Sequence, residues 1–326
     1  MNMITLTDIE RAHTQIKPYL YPTPLIRCPW LEEKFATPVF AKLENLQRTG
    51  SFKMRGATNA LLQLDPAARS KGVVTASAGN HGLGVAQAAQ LLGSSVTVFV
   101  SQAASPLKMH KLRQLGATLI QQGADYDEAD AIGQAYAREK NLPFVHAYEQ
   151  DEVIAGQGTI GLELLEKIPP PMCVVVPVGG GGLITGLALA IKTRSPQSQI
   201  FGVQSEASPA TVRALELGKV VDTPIADSVA DGLTGRFASE KLLPSIQKFC
   251  ADVVLVKESS IRRAMQEFYF QQGWRVEGSA AVGAAALLEN KIASRGMPLV
   301  LIITGGNVAD ELFNQVVSQD SLTMLT

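Results

Sequence analysis

The chain has 326 residues, room for about two domains, and a formal net charge of -1 from evenly spread acidic and basic side chains. No basic block or interleaved aromatic stripe occurs, which argues against a nucleic-acid partner. Cys28, Cys173 and Cys250 are isolated, without a C-x-x-C spacing. That argues against a disulfide framework or a zinc site and for buried thiols in a reducing cytoplasm.

The opening run MNMITLTDIERAHTQIKPYL has no basic start followed by an apolar stretch, so it does not read as a signal peptide. VFAKLE is the first predicted strand. GSFKMRGATNALLQL, residues 50–64, then reads as the start of a helix with Ser51 as its N-cap. Positions 53, 57, 60, 61 and 64 fall on one stripe, of which Ala57, Ala60, Leu61 and Leu64 are apolar. The fifth is Lys53, a cation in the first turn, where the helix dipole disfavours it, on the inward face.

Three β-branched runs follow, GVVTAS, SVTVFV and ATLIQQ, interleaved with the helix-like HGLGVAQAAQLLG, SPLKMHKLRQLG and YDEADAIGQAYAREKN. CVVVPV, QIFGVQS, ADVVLVK and PLVLIIT complete the predicted strands. Strands alternating with helices predict parallel sheets covered on both faces. The uncharged CVVVPVGGGGLITGLALAI could be mistaken for a membrane span. Pro177 and four glycines interrupt it, so it reads as a buried strand, a loop and a buried helix of a soluble protein. GVVTASAGNHGLGVAQAAQLLG and CVVVPVGGGGLITGLALAIK share one plan of strand, glycine loop and small-residue helix. Two α/β domains account for the echo: a small one over 72–148, inserted into a large one built from 1–71 and 149–326.

Loops at the carboxyl ends of parallel strands face the ligand. Three such loops carry glycine: SAGNHG (Ser77 to Gly82), VGGGGL (Val178 to Leu183) and TGGN (Thr304 to Asn307). Gly179 to Gly182 remove every side chain, so main-chain amides can close around an anion at a helix start, and a phosphate fits best. Neither G-x-G-x-x-G nor G-x-x-x-x-G-K-[ST] occurs there, the four histidines lack metal-ligand spacing, and no G-x-S-x-G elbow is present. Lys53 now has a purpose. An amine on an apolar face beside a helix N-terminus loses proton affinity, and a neutral amine attacks an aldehyde. The aldehyde cofactor that carries a phosphate is pyridoxal 5'-phosphate.

KLENLQRTGSFKMRGATNAL, TASAGNHGLGVA, VIAGQGTIGLEL, VPVGGGGLITG and ITGGN follow one another over nearly the whole chain. In this order they resemble the serine/threonine dehydratase and serine racemase family of fold-type II pyridoxal-phosphate enzymes. The resemblance implies a tryptophan synthase β-like α/β fold of two open parallel-sheet domains with helices on both faces. It implies that Lys53 holds the cofactor covalently, with Phe52 against the ring and Asn80 bonded to the ring hydroxyl. Gly179, Gly180, Gly181, Gly182 and Leu183 would bind the phosphate through backbone donors. Ser77, Ala78, Gly79, Asn80 and His81 match the loop that grips the substrate carboxylate. Thr304 stands where a hydroxyl residue, usually serine, faces the pyridine nitrogen, and Glu277 and Gly232 match positions near the ring and the substrate amine.

The implied activity is dehydration of L-threonine, L-serine or a related β-hydroxy amino acid to a 2-oxo acid and ammonia, by a cytoplasmic homodimer. Serine racemisation and dehydration of 3-hydroxyaspartate or phenylserine stay open as alternatives. A hydroxyl cannot hold the pyridine protonated as a carboxylate would, which weakens the electron sink and suits elimination. Ala78 occupies the place of the racemase serine, which also favours dehydration. Some relatives bind a divalent cation; here Glu206 and the Ala210 carbonyl match, but Val212 replaces the expected aspartate, so no metal is expected. Tyr148 stands at a substrate-side position that varies among relatives. Thr326 closes the sequence soon after TGGN, so no C-terminal regulatory domain is expected.

Overall fold

A computed structural model of the protein describes residues 4–318. The first part of the chain forms α1 (Leu6–Ile16), β1 (Leu25–Arg27), α2 (Pro29–Phe35), β2 (Val39–Leu43) and α3 (Lys53–Gln63). Then come α4 (Pro66–Ser70), β3 (Val73–Ala76), α5 (Asn80–Leu91), β4 (Val96–Val100), α6 (Pro106–Gln114), β5 (Thr118–Gln121) and α7 (Tyr126–Lys140). The remainder holds α8 (Asp151–Lys167), β6 (Cys173–Pro177), α9 (Gly182–Arg194), β7 (Gln199–Ser205), α10 (Ala210–Leu217) and α11 (Leu243–Phe249). It closes with β8 (Asp252–Val256), α12 (Glu258–Gln272), α13 (Gly278–Leu288), β9 (Leu299–Ile303) and α14 (Asp310–Ser318).

Six strands make one sheet in the order β1-β2-β9-β6-β7-β8, and β3-β4-β5 make a second. All pairs are parallel except β1 against β2, which is antiparallel. The parallel expectation thus fails at one edge. β1 has three residues between Pro24 and Pro29, too few to show a strand period in the sequence. In β6, Cys173 and Val175 pack on the α12–α13 side of the sheet, whereas Val174 and Val176 pack on the α8–α9 side. Burial on both faces explains why these strands read as unbroken apolar runs. The uncharged segment around the glycines is β6, a loop and α9, and no helix among the described residues is long and apolar enough to cross a membrane.

The smaller sheet gains a further parallel bridge from Val74 to Phe144. Its core includes Met54, Ala57, Ala60 and Leu61 of α3 and Val153 of α8, so the helix that opens with Lys53 is wedged between the two sheets.

Ser51 does not cap α3. The helix starts at Lys53, Phe52 holds the cap position, and no side chain caps it. Ser51 instead bridges to Gly305, and the Phe52 amide donates to the Thr304 carbonyl at 3.0 Å. These main-chain contacts fix the backbone in a course that a capping serine cannot follow.

The apolar stripe also understates the burial of α3, whose opposite side carries the fully buried Arg55. Its guanidinium donates to both oxygens of Glu44, at 2.7 and 2.8 Å, and to Glu163 at 2.6 and 3.0 Å. Lys42 Nζ lies 2.6 Å from Glu163, which balances the cluster at two cations and two carboxylates. Such a cluster is tolerated in the interior because every charge has a partner.

Candidate active site

The loops after β3, β6 and β9 open on one cavity of about 340 Å³ between the two sheets. In the loop after β6, Gly181 has a φ of +92°, a left-handed conformation open to glycine. A Cβ on Gly180 would stand 2.4 Å from the Tyr148 ring, and one on Gly182 would stand 2.6 Å from the Tyr148 carbonyl. Bare main chain is therefore required on both counts. Among the described residues, no acceptor is bonded to the amides of Gly179, Gly180, Gly181 or Leu183. They gather at the N-terminus of the 13-residue α9, where the helix dipole adds to their attraction for an anion.

Lys53 lines the same cavity. Its Nζ donates to the Ala147 carbonyl at 2.9 Å and lies 5.3 Å from the centre of the Phe52 ring. Burial lowers the amine from its ordinary value to about 8, against the opposing pull of Glu277. A useful fraction of the neutral amine is thus present near neutrality.

Asn80 begins α5 and reaches across to α13, donating from Nδ2 to Glu277 Oε1 at 2.8 Å. Asn307 completes the triangle, with its amide on Glu277 Oε2 at 3.1 Å and its Nδ2 on Asn80 Oδ1 at 2.7 Å. Burial pushes Glu277 up to about 7; the bond from Asn80 opposes the rise and the charge of Asp231 adds to it. Ser77 Oγ accepts from the Gly79 amide at 3.1 Å and tightens the turn that exposes the first amides of α5. Ala78 lines the cavity beside them. His81 is buried, and burial together with the nearby Lys53 charge lowers its ring to about 3, so it stays neutral. Its Nε2 lies 3.0 Å from the Val145 carbonyl, which can only accept, so the proton sits on Nε2. Gly232 donates to Ser279 Oγ at 3.0 Å.

Thr304 Oγ1 is buried in the cavity wall and has no hydrogen-bond partner among the described residues. The cavity therefore offers an unpaired hydroxyl, a set of unpaired amides and a desolvated amine. These fit an aromatic aldehyde that carries a ring nitrogen and a phosphate.

Every residue that the sequence assigns to the cofactor or the substrate lines this cavity. Sequence reasoning passed over Asn307, Ser279, Tyr126 and Gln157, which also line it. Asn307 was visible as the last residue of TGGN and Gln157 as the centre of AGQGT, but a lone Asn or Gln carries no periodic signal. Glu206 lies outside, 4.0 Å from Lys291 Nζ, and Val212 packs in an apolar cluster.

Residues 16–305 match the family described as "Pyridoxal-phosphate dependent enzyme". The chain belongs to this family. Its two parallel sheets with helices on both faces are the fold-type II arrangement of pyridoxal-phosphate dependent enzymes. It is similar to an L-threonine ammonia-lyase of Geobacter sulfurreducens, 38% identical over 97% of this chain and 79% of that one. Among solved structures, it resembles serine racemase from Dictyostelium discoideum with a TM-score of 0.88 and 33% identity, covering 94% of this chain and 99% of that one. It also resembles threonine deaminase isoform 2 from Solanum lycopersicum with a TM-score of 0.89 and 29% identity, covering 96% of this chain and 92% of that one.

Proposed function

We propose that this pyridoxal-phosphate dependent enzyme is an ammonia-lyase that dehydrates L-threonine, L-serine or a related β-hydroxy amino acid to a 2-oxo acid and ammonia. The observation that carries the reading is the desolvated Lys53 amine, bonded to Ala147 in the cavity that the unpaired Gly179–Leu183 amides also line.

In this reading the amides of Gly179, Gly180, Gly181, Gly182 and Leu183 would hold the cofactor phosphate, with Phe52 against its ring and Asn80 bonded to the ring hydroxyl. Thr304 would offer its hydroxyl to the ring nitrogen. Bound pyridoxal phosphate supplies an electron-accepting ring that allows the substrate Cα–H bond to ionise. Lys53 would hold the cofactor, and its Nζ, as a free amine in the cavity, would be the base that takes the Cα proton. Ser77 to His81 and the first amides of α5 orient the substrate carboxylate, and the neutral His81 ring keeps a competing cation out of the site. The Cα proton and the β-hydroxyl leave together as water, and the resulting enamine takes up one water to give the 2-oxo acid and ammonia.

Ala78 has no exchangeable proton, which favours dehydration over racemisation, and chiral analysis of unreacted serine separates the two outcomes. We also propose a small domain over 72–148 set in a large one of 1–71 and 149–326, a homodimeric assembly and a cytoplasmic location. The functional test is a 2-oxo acid assay across threonine, serine, 3-hydroxyaspartate and phenylserine with a Lys53→Ala control. Product from threonine or serine that vanishes in the control supports the reading. Equal product from the control, or none from any of the four, contradicts it.

A further inference from the structure

The amides of the glycine loop are main-chain donors, yet one side chain in the same cavity also has an uncommitted donor. Gln157 of α8 is 1% exposed and lines the cavity. The Gly56 amide, near the start of α3, donates to Gln157 Oε1 at 3.2 Å. An N–H can only donate, so this contact fixes which end of the carboxamide is oxygen. The other end, Nε2, is buried and has no hydrogen-bond partner among the described residues. Burying an amide donor without an acceptor is costly, and a folded chain retains such a group where a ligand supplies the missing acceptor.

The position of Gln157 narrows what that acceptor is. α8 and α9 run parallel in close contact: a Cβ on Gly186 would meet the Ile154 carbonyl at 2.3 Å, and one on Gly161 would meet the Leu187 carbonyl at 3.0 Å. Gln157 therefore lies within about a turn of the start of α9 while gripping the start of α3. It sits where two helix N-termini converge, one bearing Lys53 and the other the glycine loop. The first turn of α5, with Asn80, and the loop before it, with Ser77, belong to the smaller sheet.

We propose that Gln157 Nε2 donates a hydrogen bond to the phosphate of bound pyridoxal 5'-phosphate, adding a neutral side-chain donor to the backbone cradle while its Oε1 holds α3 in place. This inference rests on the reading of the cavity as the cofactor site, not on which amino acid is the substrate. Gln157 is a binding and positioning residue; it moves no proton.

Two variants separate the donor from the brace. Gln157→Glu keeps an oxygen for the Gly56 amide and exchanges the NH2 donor for a second oxygen. Gln157→Met removes both. The full-length chain, freed of cofactor, is titrated at pH 8 with pyridoxal 5'-phosphate and with pyridoxal, which lacks the phosphate, and binding is followed by absorbance. We expect Gln157→Glu to weaken the phosphate-bearing ligand by roughly tenfold or more, the size of a charge-assisted hydrogen bond. Pyridoxal binding should change by less than about twofold, because only the phosphate contact is lost. The cofactor-free thermal midpoint should stay near wild type in Gln157→Glu and fall in Gln157→Met. If Gln157→Glu does not fold, the same ratio of the two ligands is read from Gln157→Met. Unchanged pyridoxal 5'-phosphate binding, or an equal loss for both ligands, overturns the proposal. Failure of wild type to bind either ligand would refute the cofactor reading itself, a distinguishable result.

Discussion

Asn80 Nδ2 lies 2.8 Å from Glu277 Oε1 and so ties the first turn of α5, on the small sheet, to the start of α13, on the large one. Glu277 accepts from Asn80 with one oxygen and from the Asn307 amide with the other. Glu277→Gln can satisfy only one of these donors and turns an NH2 group toward the second. We expect a stability loss of about 1–3 kcal/mol in denaturant unfolding, the cost of an unmet buried donor. Its negative charge also raises the Lys53 amine, so the same variant should move the pH midpoint of cofactor uptake below that of wild type.

Lys53 makes a pH prediction of its own. With the amine near 8, the rate of pyridoxal phosphate uptake by the cofactor-free chain should rise with pH through about 8 and then level off. Stability follows with a definite sign. The unfolded chain keeps this proton up to an ordinary lysine value of 10.5, the folded chain only up to about 8. Between those values the unfolded state binds more protons, so folded stability rises with pH. Wild type should therefore gain stability relative to Lys53→Met as pH rises from about 8 to 10.5, with the difference constant below 8; a difference independent of pH across that window would refute it.

Much of this site was legible in the sequence because its signals are local. The four glycines announce a bare-backbone loop, and the strands around it alternate with helices in a pattern that demands parallel sheets. Lys53 stood out as a charge on an apolar stripe. What the sequence concealed is non-local. Ser51 has the chemistry of a cap but is held by its bridge to Gly305, 254 positions along the numbering, which no local pattern reveals. Arg55 lies off the apolar stripe, and its burial depends on Glu44 and Glu163, brought to it from a turn and another helix. β1 is too short to declare a period.

The Arg55 cluster yields a stability test. Arg55→Met takes from the completely buried Glu44 the guanidinium that bonds both of its oxygens, leaving it the Thr23 hydroxyl and Lys42 Nζ at 4.0 Å. Removing one partner of a buried pair should cost about 3–5 kcal/mol. Chemical denaturation of Arg55→Met against Arg55→Met/Glu44→Leu checks the cause, since the double variant removes the orphaned charge and should recover part of the loss.

The glycine loop predicts a compensating pair. Gly180→Ala places a methyl 2.4 Å from the Tyr148 ring, so the ring or the loop must shift. Overpacking of this kind costs about 1–3 kcal/mol and should weaken pyridoxal phosphate binding. Tyr148→Ala in the same chain removes the clash, so cofactor affinity of the double variant should exceed that of Gly180→Ala alone, a non-additivity expected of residues in contact.

The central claim is that the Lys53 amine captures the cofactor aldehyde while the adjacent amides hold its phosphate. Borohydride reduction of the purified yellow enzyme, followed by peptide mapping, tests this most directly. We expect the cofactor label on the peptide containing Lys53 and its absence in Lys53→Ala. A label on any other lysine of the wild-type chain would contradict the account.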